Sequence, residues 1–193
     1  LYPENGNSTS SLLRNADTAM HKAKSLGRNT YSFFTQEMNS NMLRRLEIEE
    51  QMRIALKRKE FEVYYQPQID ANKKQIIGAE ALLRWNNPEL GHISPDEFIP
   101  IAEHNGLIVP IGKFVLEQAL SFLNIWQATQ PFPIRIAVNL SPRQFRYPEL
   151  LSFIESSLIK ANVPADKLEL EITEGVLMIG KTYIDDALIK LNQ

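Results

Sequence analysis

The sequence predicts an α/β fold whose strands belong to a barrel of βα units, and two observations support that prediction. Four segments alternate apolar and polar residues as strands do: 61–68, 77–85, 134–140 and 168–173. Stretches with helical spacing separate the later strands, which is typical of parallel βα units. A half-exposed antiparallel sheet would alternate in the same way, so the intervening helices favour the parallel arrangement.

Two helices are predicted before these strands. Gly27 is placed to end the first helix, a short strand is predicted over Thr30–Phe34, and the second helix is predicted over Glu37–Lys59. The apolar residues of the two helices fall at helical spacing: Leu12, Leu13, Ala16, Ala19, Met20 and Ala23 in the first, and Ile48, Met52, Ala55 and Leu56 in the second.

The main part of the chain opens with a strand pair. The polar turn Asp70–Lys74 is too short for a crossover, so it predicts an antiparallel hairpin. Ser94-Pro95-Asp96-Glu97 has the form of a capping box and predicts a helix that runs to about His104. Further helices are predicted over Ile111–Thr129, with Phe114, Phe122 and Trp126 as core residues, over Pro148–Ala161, and from about Lys181.

Composition excludes several classes of protein. The net charge of −2 argues against a general nucleic-acid binder, which would be basic. There is no Cys, so no disulfide framework and no thiolate metal site can form. The sequence has no run of 18 apolar residues, which predicts no membrane segment in this chain. His21, His92 and His104 lack the spacing of metal ligands.

Three polar residues on three different strands are predicted by the alternation of side chains to face the inside of the barrel: Glu80, Asn139 and Glu171. Carboxylates inside a barrel are costly to bury without a cation, either a metal or a lysine. Simpler interpretations stay open from the residues alone. Glu80 could pair with Arg84 on its own face, Asn139 could cap the turn before Ser141-Pro142, and Glu169 could be a structural ion-pair partner.

Four ordered segments resemble the EAL domain family: Tyr64-Tyr65-Gln66-Pro67-Gln68, Glu80-Ala81-Leu82-Leu83-Arg84-Trp85, Val138-Asn139-Leu140-Ser141 and Leu170-Glu171-Ile172-Thr173-Glu174. The resemblance implies a modified TIM-type (β/α) barrel. It also implies hydrolysis of cyclic di-GMP to linear pGpG in bacterial signalling, with Mg²⁺ or Mn²⁺, as two ions in a complete domain. Some members have lost catalysis, so a receptor for cyclic di-GMP or a protein-docking module is the alternative.

The resemblance also implies roles for individual residues. Glu80, Asn139 and Glu171 match the metal ligands of the family, and Glu80 and Glu174 match its catalytic positions. Gln66 and Arg84 match positions that contact the substrate. Oxygen ligands of this kind suit hard divalent cations.

The N-terminal part resembles the end of a GGDEF domain, through Leu13-Arg14-Asn15-Ala16-Asp17-Thr18-Ala19-Met20 and Ala23-Lys24-Ser25-Leu26-Gly27-Arg28-Asn29. The signature loop of that domain is absent from this chain, so no cyclase activity is assigned. The predicted organisation is therefore a GGDEF remnant at 1–35, a helical linker at 36–44 and the N-terminal part of an EAL domain at 45–193. A cytoplasmic location is expected.

The family's Asp-Asp-Phe-Gly segment does not occur in the sequence. Asp185-Asp186 is followed by Ala187 and lies in a helical pattern, and Lys190 does not match the family's active-site lysine. We therefore expect the chain to be an incomplete barrel and inactive, or nearly so, by itself. It would need the missing part of the barrel or a second copy as a homodimer to cover an edge strand near Leu168–Ile172.

Overall fold

The computed structural model describes residues 1–25, 27 and 29–172. The chain divides into two compact units, Leu1–Glu50 and Gln51–Gln193, and each is described by itself. The helix predicted from about Lys181 lies outside the described residues.

The first unit contains helix α1 (Thr9–Ser25), and helix α2 (Gln36–Arg58) begins in it. The turn before α1 is fixed by Asn15, whose amide donates to the carbonyl of Asn5 at 2.8 Å. The predicted strand at Thr30–Phe34 is wrong, because this segment forms no strand. A stable strand needs a neighbouring strand to pair with, and the apolar residues of this segment do not provide one.

The second unit is built on a mixed sheet. Its strands are β1 (Phe61–Asp70), β2 (Gln75–Asn87), β3 (Gly91–Ile93), β4 (Arg135–Leu140) and β5 (Leu168–Ile172). The order is β1-β2-β4-β5, and the short β3 pairs with β2. β1 and β2 are antiparallel, as the short turn predicted, whereas β2, β4 and β5 run parallel. The carboxylate of Asp70 stabilises the hairpin turn by accepting from the backbone N–H groups of Asn72 and Lys73.

The helices of the second unit are α3 (Pro95–Asn105), α4 (Ile108–Thr129), the single turn α5 (Pro142–Phe145) and α6 (Leu150–Ala161), and a 3₁₀ turn at Ala165–Lys167 precedes β5. Helix α4 covers the apolar face of the sheet. Its buried residues pack with those of β2, β4 and α6 in one core: Ala79, Ala81, Val115, Leu116, Ala119, Leu120, Leu123, Ile136, Val138 and Ile154. Phe114, Phe122 and Trp126, predicted as core residues, are partly buried and pack against this core.

Among the described residues, α4 is also the one helix with the length and composition to cross a membrane. We interpret it as a core helix because seven of its residues are buried against the rest of the protein, including Ile111, Leu116 and Leu123.

Tyr65 fastens β1 to this helix. Its ring stacks on Phe122 with the ring centres 4.0 Å apart, and its hydroxyl donates to the carbonyl of Gln118 at 3.0 Å. Burial raises the pKa of the Tyr65 hydroxyl to about 12. Tyr65 therefore holds the strand that presents Gln66, its neighbour in sequence, on the opposite face.

Helix starts were predicted with mixed success. Helix α3 begins with Pro95, as expected, but the Ser94 side chain makes no capping hydrogen bond. A complete capping box occurs instead at Ser141, whose hydroxyl accepts from the backbone of Gln144 while the Gln144 side chain accepts from the backbone of Ser141. This box starts α5, which the sequence did not predict, directly after β4.

Replacing Gly112 with alanine should lower the free energy of unfolding by about 1–3 kcal/mol, the usual cost of overpacking a tight contact. A Cβ at this position in α4 would clash with the side-chain amide of Gln144, and this buried side chain could move aside only by leaving the capping box. Helix propensity by itself predicts the opposite sign, because alanine stabilises a helix interior by up to about 1 kcal/mol over glycine. Urea unfolding of the two proteins measures the sign directly, and a stabilised variant would contradict the close contact.

Candidate functional site

Four polar residues of the sheet lie on the face away from α4. Gln66 of β1 is directly opposite Glu80 of β2, and Glu80 is paired with Ala137 of β4. Two residues further along β4, Asn139 is paired with Glu171 of β5. Cross-strand partners share a face, so the register places all four polar side chains on one side of the sheet. The alternation in the sequence predicted this face correctly.

Asn139 and Glu80 are in direct contact. The Asn139 side-chain amide donates to Oε1 of Glu80 at 2.7 Å, across the two parallel strands. The turn-cap interpretation of Asn139 is therefore wrong, and Ser141 serves that role. This contact leaves the carbonyl oxygen of Asn139 and the second oxygen of Glu80 as potential ligands on the same face.

Arg84 does not neutralise Glu80. Its guanidinium donates to the carbonyl of Leu83 at 2.9 Å and lies 5.7 Å from the centre of the Tyr64 ring. Among the described side chains, no ion pair joins Arg84 to Glu80, so the simple alternative raised by the sequence is excluded. The carboxylate keeps its negative charge available for another cation.

Glu171 experiences both burial and negative neighbours. Its pKa is raised, first by burial and then by the charges of Glu80 and Glu169. Repulsion of this kind shows that the face concentrates negative charge. A cation placed among these groups would relieve the repulsion, which is the electrostatic condition for a metal site.

Glu169 has a partner of its own. Its carboxylate lies 3.9 Å from the guanidinium of Arg135, and both side chains are about half exposed. The expectation that Glu169 is a structural ion-pair partner is therefore confirmed. The sequence did not reveal that Glu169 also acts on Glu171 through its charge.

The oxygen donors of this face suit a hard divalent cation such as Mg²⁺ or Mn²⁺. The fit rests on two carboxylates and one amide carbonyl on neighbouring strands, where Asn139 is hydrogen-bonded to Glu80 and is the register partner of Glu171. In the described part of the chain, no group of three or more acidic or histidine side chains is assembled for a metal. Glu174, predicted as a catalytic residue, lies outside the described residues, as do Asp185, Asp186 and Lys190.

Replacing Glu171 with glutamine should slightly raise the melting temperature of the metal-free protein at neutral pH. A raised pKa means that the folded state binds the proton of Glu171 more tightly than the unfolded state does. The folded protein therefore loses stability as the pH rises through the unfolded-state pKa and then the folded-state pKa of this group. The neutral amide removes that loss. Because the group is partly exposed, we expect a gain of at most a few degrees.

Thermal melts in EDTA at pH 7 and at pH 3.5 check this result, since the difference should vanish at the lower pH. Added Mg²⁺ should stabilise the natural protein more than the Glu171→Gln variant. Glu155→Gln, at an exposed position of α6, is the matched control. A variant that melts below the natural protein in EDTA at pH 7 would contradict the electrostatic account.

Comparison with known proteins identifies the family. The model of the EAL domain matches residues 49–193, and the chain belongs to this family. The chain is 40% identical over 178 residues to the bifunctional diguanylate cyclase/cyclic di-GMP phosphodiesterase MucR of Pseudomonas aeruginosa, a match that covers 92% of this chain and 26% of MucR. It is 35% identical over 178 residues to the cyclic di-GMP phosphodiesterase PdeR of Escherichia coli, covering 92% of this chain and 27% of PdeR. The chain thus spans about a quarter of the length of these relatives.

Solved structures give the same assignment. The MucR phosphodiesterase in complex with cyclic di-GMP matches with a TM-score of 0.70 at 37% identity, over 76% of this chain and 58% of that one. The EAL enzyme Bd1971 with bound cAMP and cyclic di-GMP matches with a TM-score of 0.74 at 29% identity, over 98% of this chain and 50% of that one. The mixed α/β sheet described above is therefore the sheet of an EAL fold, consistent with the predicted TIM-like architecture.

Proposed function

We propose that the protein hydrolyses cyclic di-GMP to linear pGpG and that this chain supplies part of the active site. The observation that carries the proposal is the 2.7 Å contact between Asn139 and Glu80, on a face where Glu171 is paired with Asn139. Membership of the EAL family supports it, as do the relatives MucR and PdeR, which are named as cyclic di-GMP phosphodiesterases.

Each residue of the face has a proposed task. Glu80, Glu171 and the carbonyl oxygen of Asn139 would hold Mg²⁺ or Mn²⁺. When bound, such ions activate water and neutralise charge on the phosphoryl group.

Gln66, which faces solvent opposite Glu80, would donate a hydrogen bond to the nucleotide or accept one from it. The guanidinium of Arg84 would donate two hydrogen bonds to a phosphate, as arginine does in many phosphate sites. Glu174 is proposed as a catalytic residue from its match to the family alone.

Turnover of cyclic di-GMP by the purified full-length protein tests the proposal. The products should include pGpG by liquid chromatography, and EDTA should stop the reaction until Mg²⁺ or Mn²⁺ is restored. Cyclic di-AMP, which has the same backbone and different bases, is the matched substrate control. Tight binding of cyclic di-GMP without turnover would favour the receptor alternative, and the absence of binding would remove both.

We also propose the domain organisation predicted from the sequence: the end of a GGDEF-type domain at 1–35, a linker at 36–44 and EAL residues at 45–193. Helix α2 begins at Gln36 and runs through the whole of the proposed linker. The 178-residue match to MucR is longer than the EAL part of this chain, so it extends into the N-terminal residues. A cytoplasmic location and a homodimer are kept as predictions, and sedimentation of the full-length protein tests the dimer.

A further inference from the structure

Arg84 has two neighbours on β1 that can attract its positive charge. Glu62 is its direct cross-strand partner, with Tyr64 one step along the same face. Direct partners in an antiparallel pair lie closest, whereas diagonal neighbours remain within reach of long side chains. An exposed ion pair and an exposed cation–π contact have similar strengths, so the sequence leaves the choice between the two neighbours open.

The structure shows which neighbour Arg84 uses. Its guanidinium carbon lies 5.7 Å from the centre of the Tyr64 ring, while the same group donates to the carbonyl of Leu83. Among the described residues, Arg84 and Glu62 form no ion pair, although they are directly opposite each other in the register. The guanidinium thus lies over the Tyr64 ring and is not paired with the exposed carboxylate of Glu62.

Tyr64 lies one step nearer to the candidate site along the strand pair than Glu62 does. Tyr64 is paired with Leu82, which lies between Arg84 and Glu80 along β2. Asn139 lies two residues beyond Ala137, the partner of Glu80, so Asn139 and Tyr64 stand at about the same level of the sheet. An arginine drawn to Glu62 would instead sit one step further from Glu80, with its charge neutralised.

We propose that Tyr64 is a positioning residue, whose ring holds Arg84 ready for the phosphate of the nucleotide and keeps it from pairing with Glu62. The proposal rests on the proposed function, because it assigns Arg84 to substrate binding. The ring does this through its π face, so the hydroxyl is not required. Tyr64 is 55% exposed, which leaves the ring accessible from the side of the substrate.

Nuclear magnetic resonance of the full-length protein tests the contact without any assay of activity. The Arg84 side-chain Hε resonance should carry a ring-current shift in the natural protein and in Tyr64→Phe. That shift should disappear in Tyr64→Leu and persist in Glu62→Gln. An unchanged Arg84 resonance in Tyr64→Leu would show that the ring does not hold the guanidinium and would overturn the proposal.

Kinetics with cyclic di-GMP test the consequence. Tyr64→Leu should raise KM about fivefold with a smaller change in kcat, since an exposed cation–π contact is lost and Glu62 captures the arginine. Adding Glu62→Gln to that variant should restore most of the lost affinity, and Tyr64→Phe should behave as the natural protein. A structural defect at Tyr64 would not be rescued by a change at Glu62, so failure of the rescue would overturn the proposal.

The two proposals fail in different ways. If the natural protein neither binds nor hydrolyses cyclic di-GMP, the proposed function is wrong, whatever the variants do. If the natural protein is active and Tyr64→Leu has an unchanged KM, only the role of Tyr64 is wrong. Should Tyr64→Leu fold poorly, Tyr64→Gln provides a second ring-free variant with a polar side chain suited to this exposed position.

Discussion

Replacing Glu80 with glutamine should reduce turnover of cyclic di-GMP on the order of 1,000-fold while leaving the fold intact. Glutamine keeps the size of the side chain and an oxygen that can accept from Asn139, which now donates to Glu80 at 2.7 Å. It removes the negative charge that would hold a divalent cation. A bound metal ion lowers the activation free energy of such reactions by several kcal/mol, and about 1.4 kcal/mol corresponds to a tenfold change in rate.

Stability should not fall in this variant, because the negative charge of Glu80 is one of the causes that raise the pKa of Glu171. Removing that charge should lower the pKa of Glu171 and relieve repulsion within the face. The measurements are kcat/KM with saturating Mg²⁺ and the melting temperature in EDTA. Glu117→Gln, at an exposed position of α4, is the matched control. Near-natural turnover by Glu80→Gln would exclude Glu80 from the metal site.

The face of the sheet could be predicted from the sequence because strand geometry is regular. Side chains alternate, so a single phase assignment for each strand places Gln66, Glu80, Asn139 and Glu171 on one side, and the register confirms it. The antiparallel hairpin was predictable for a similar reason, since a turn of about five residues cannot carry a crossover. Both inferences depend on backbone geometry alone.

Side-chain partners could not be predicted in the same way. Arg84 had three plausible neighbours on its face, and the differences in free energy among such exposed contacts are small. The capping box at Ser141 was missed although its Ser-Pro-Arg-Gln sequence has the required form, because Asn139, two residues earlier, offered a competing cap. The segment Thr30–Phe34 was predicted as a strand from its apolar residues, but these cannot specify whether a pairing strand is present.

Replacing Trp85 with alanine should lower the free energy of unfolding by about 3–5 kcal/mol, a large part of the stability of a typical domain. Trp85 is fully buried at the end of β2, where its ring packs against Phe61 and Phe98. Its indole N–H also donates to Oε2 of Glu60 at 3.0 Å. The substitution therefore creates a cavity and removes a hydrogen bond from a buried carboxylate, and urea unfolding measures the sum.

Trp85→Phe helps to separate these two contributions, because it removes the N–H donor but keeps an aromatic ring and so leaves a smaller cavity than alanine. Oε2 of Glu60 would then retain the hydrogen bond from the Asn87 side chain at 2.9 Å. The other oxygen, Oε1, accepts no hydrogen bond from the described residues and lies 3.9 Å from the guanidinium of Arg58. Loss of a bond to a charged group costs about 1.5–3 kcal/mol. In a Glu60→Gln background the same substitution should cost less, because a neutral acceptor loses less when its donor is removed. Equal costs in the two backgrounds would show that Trp85 stabilises the strand through packing alone.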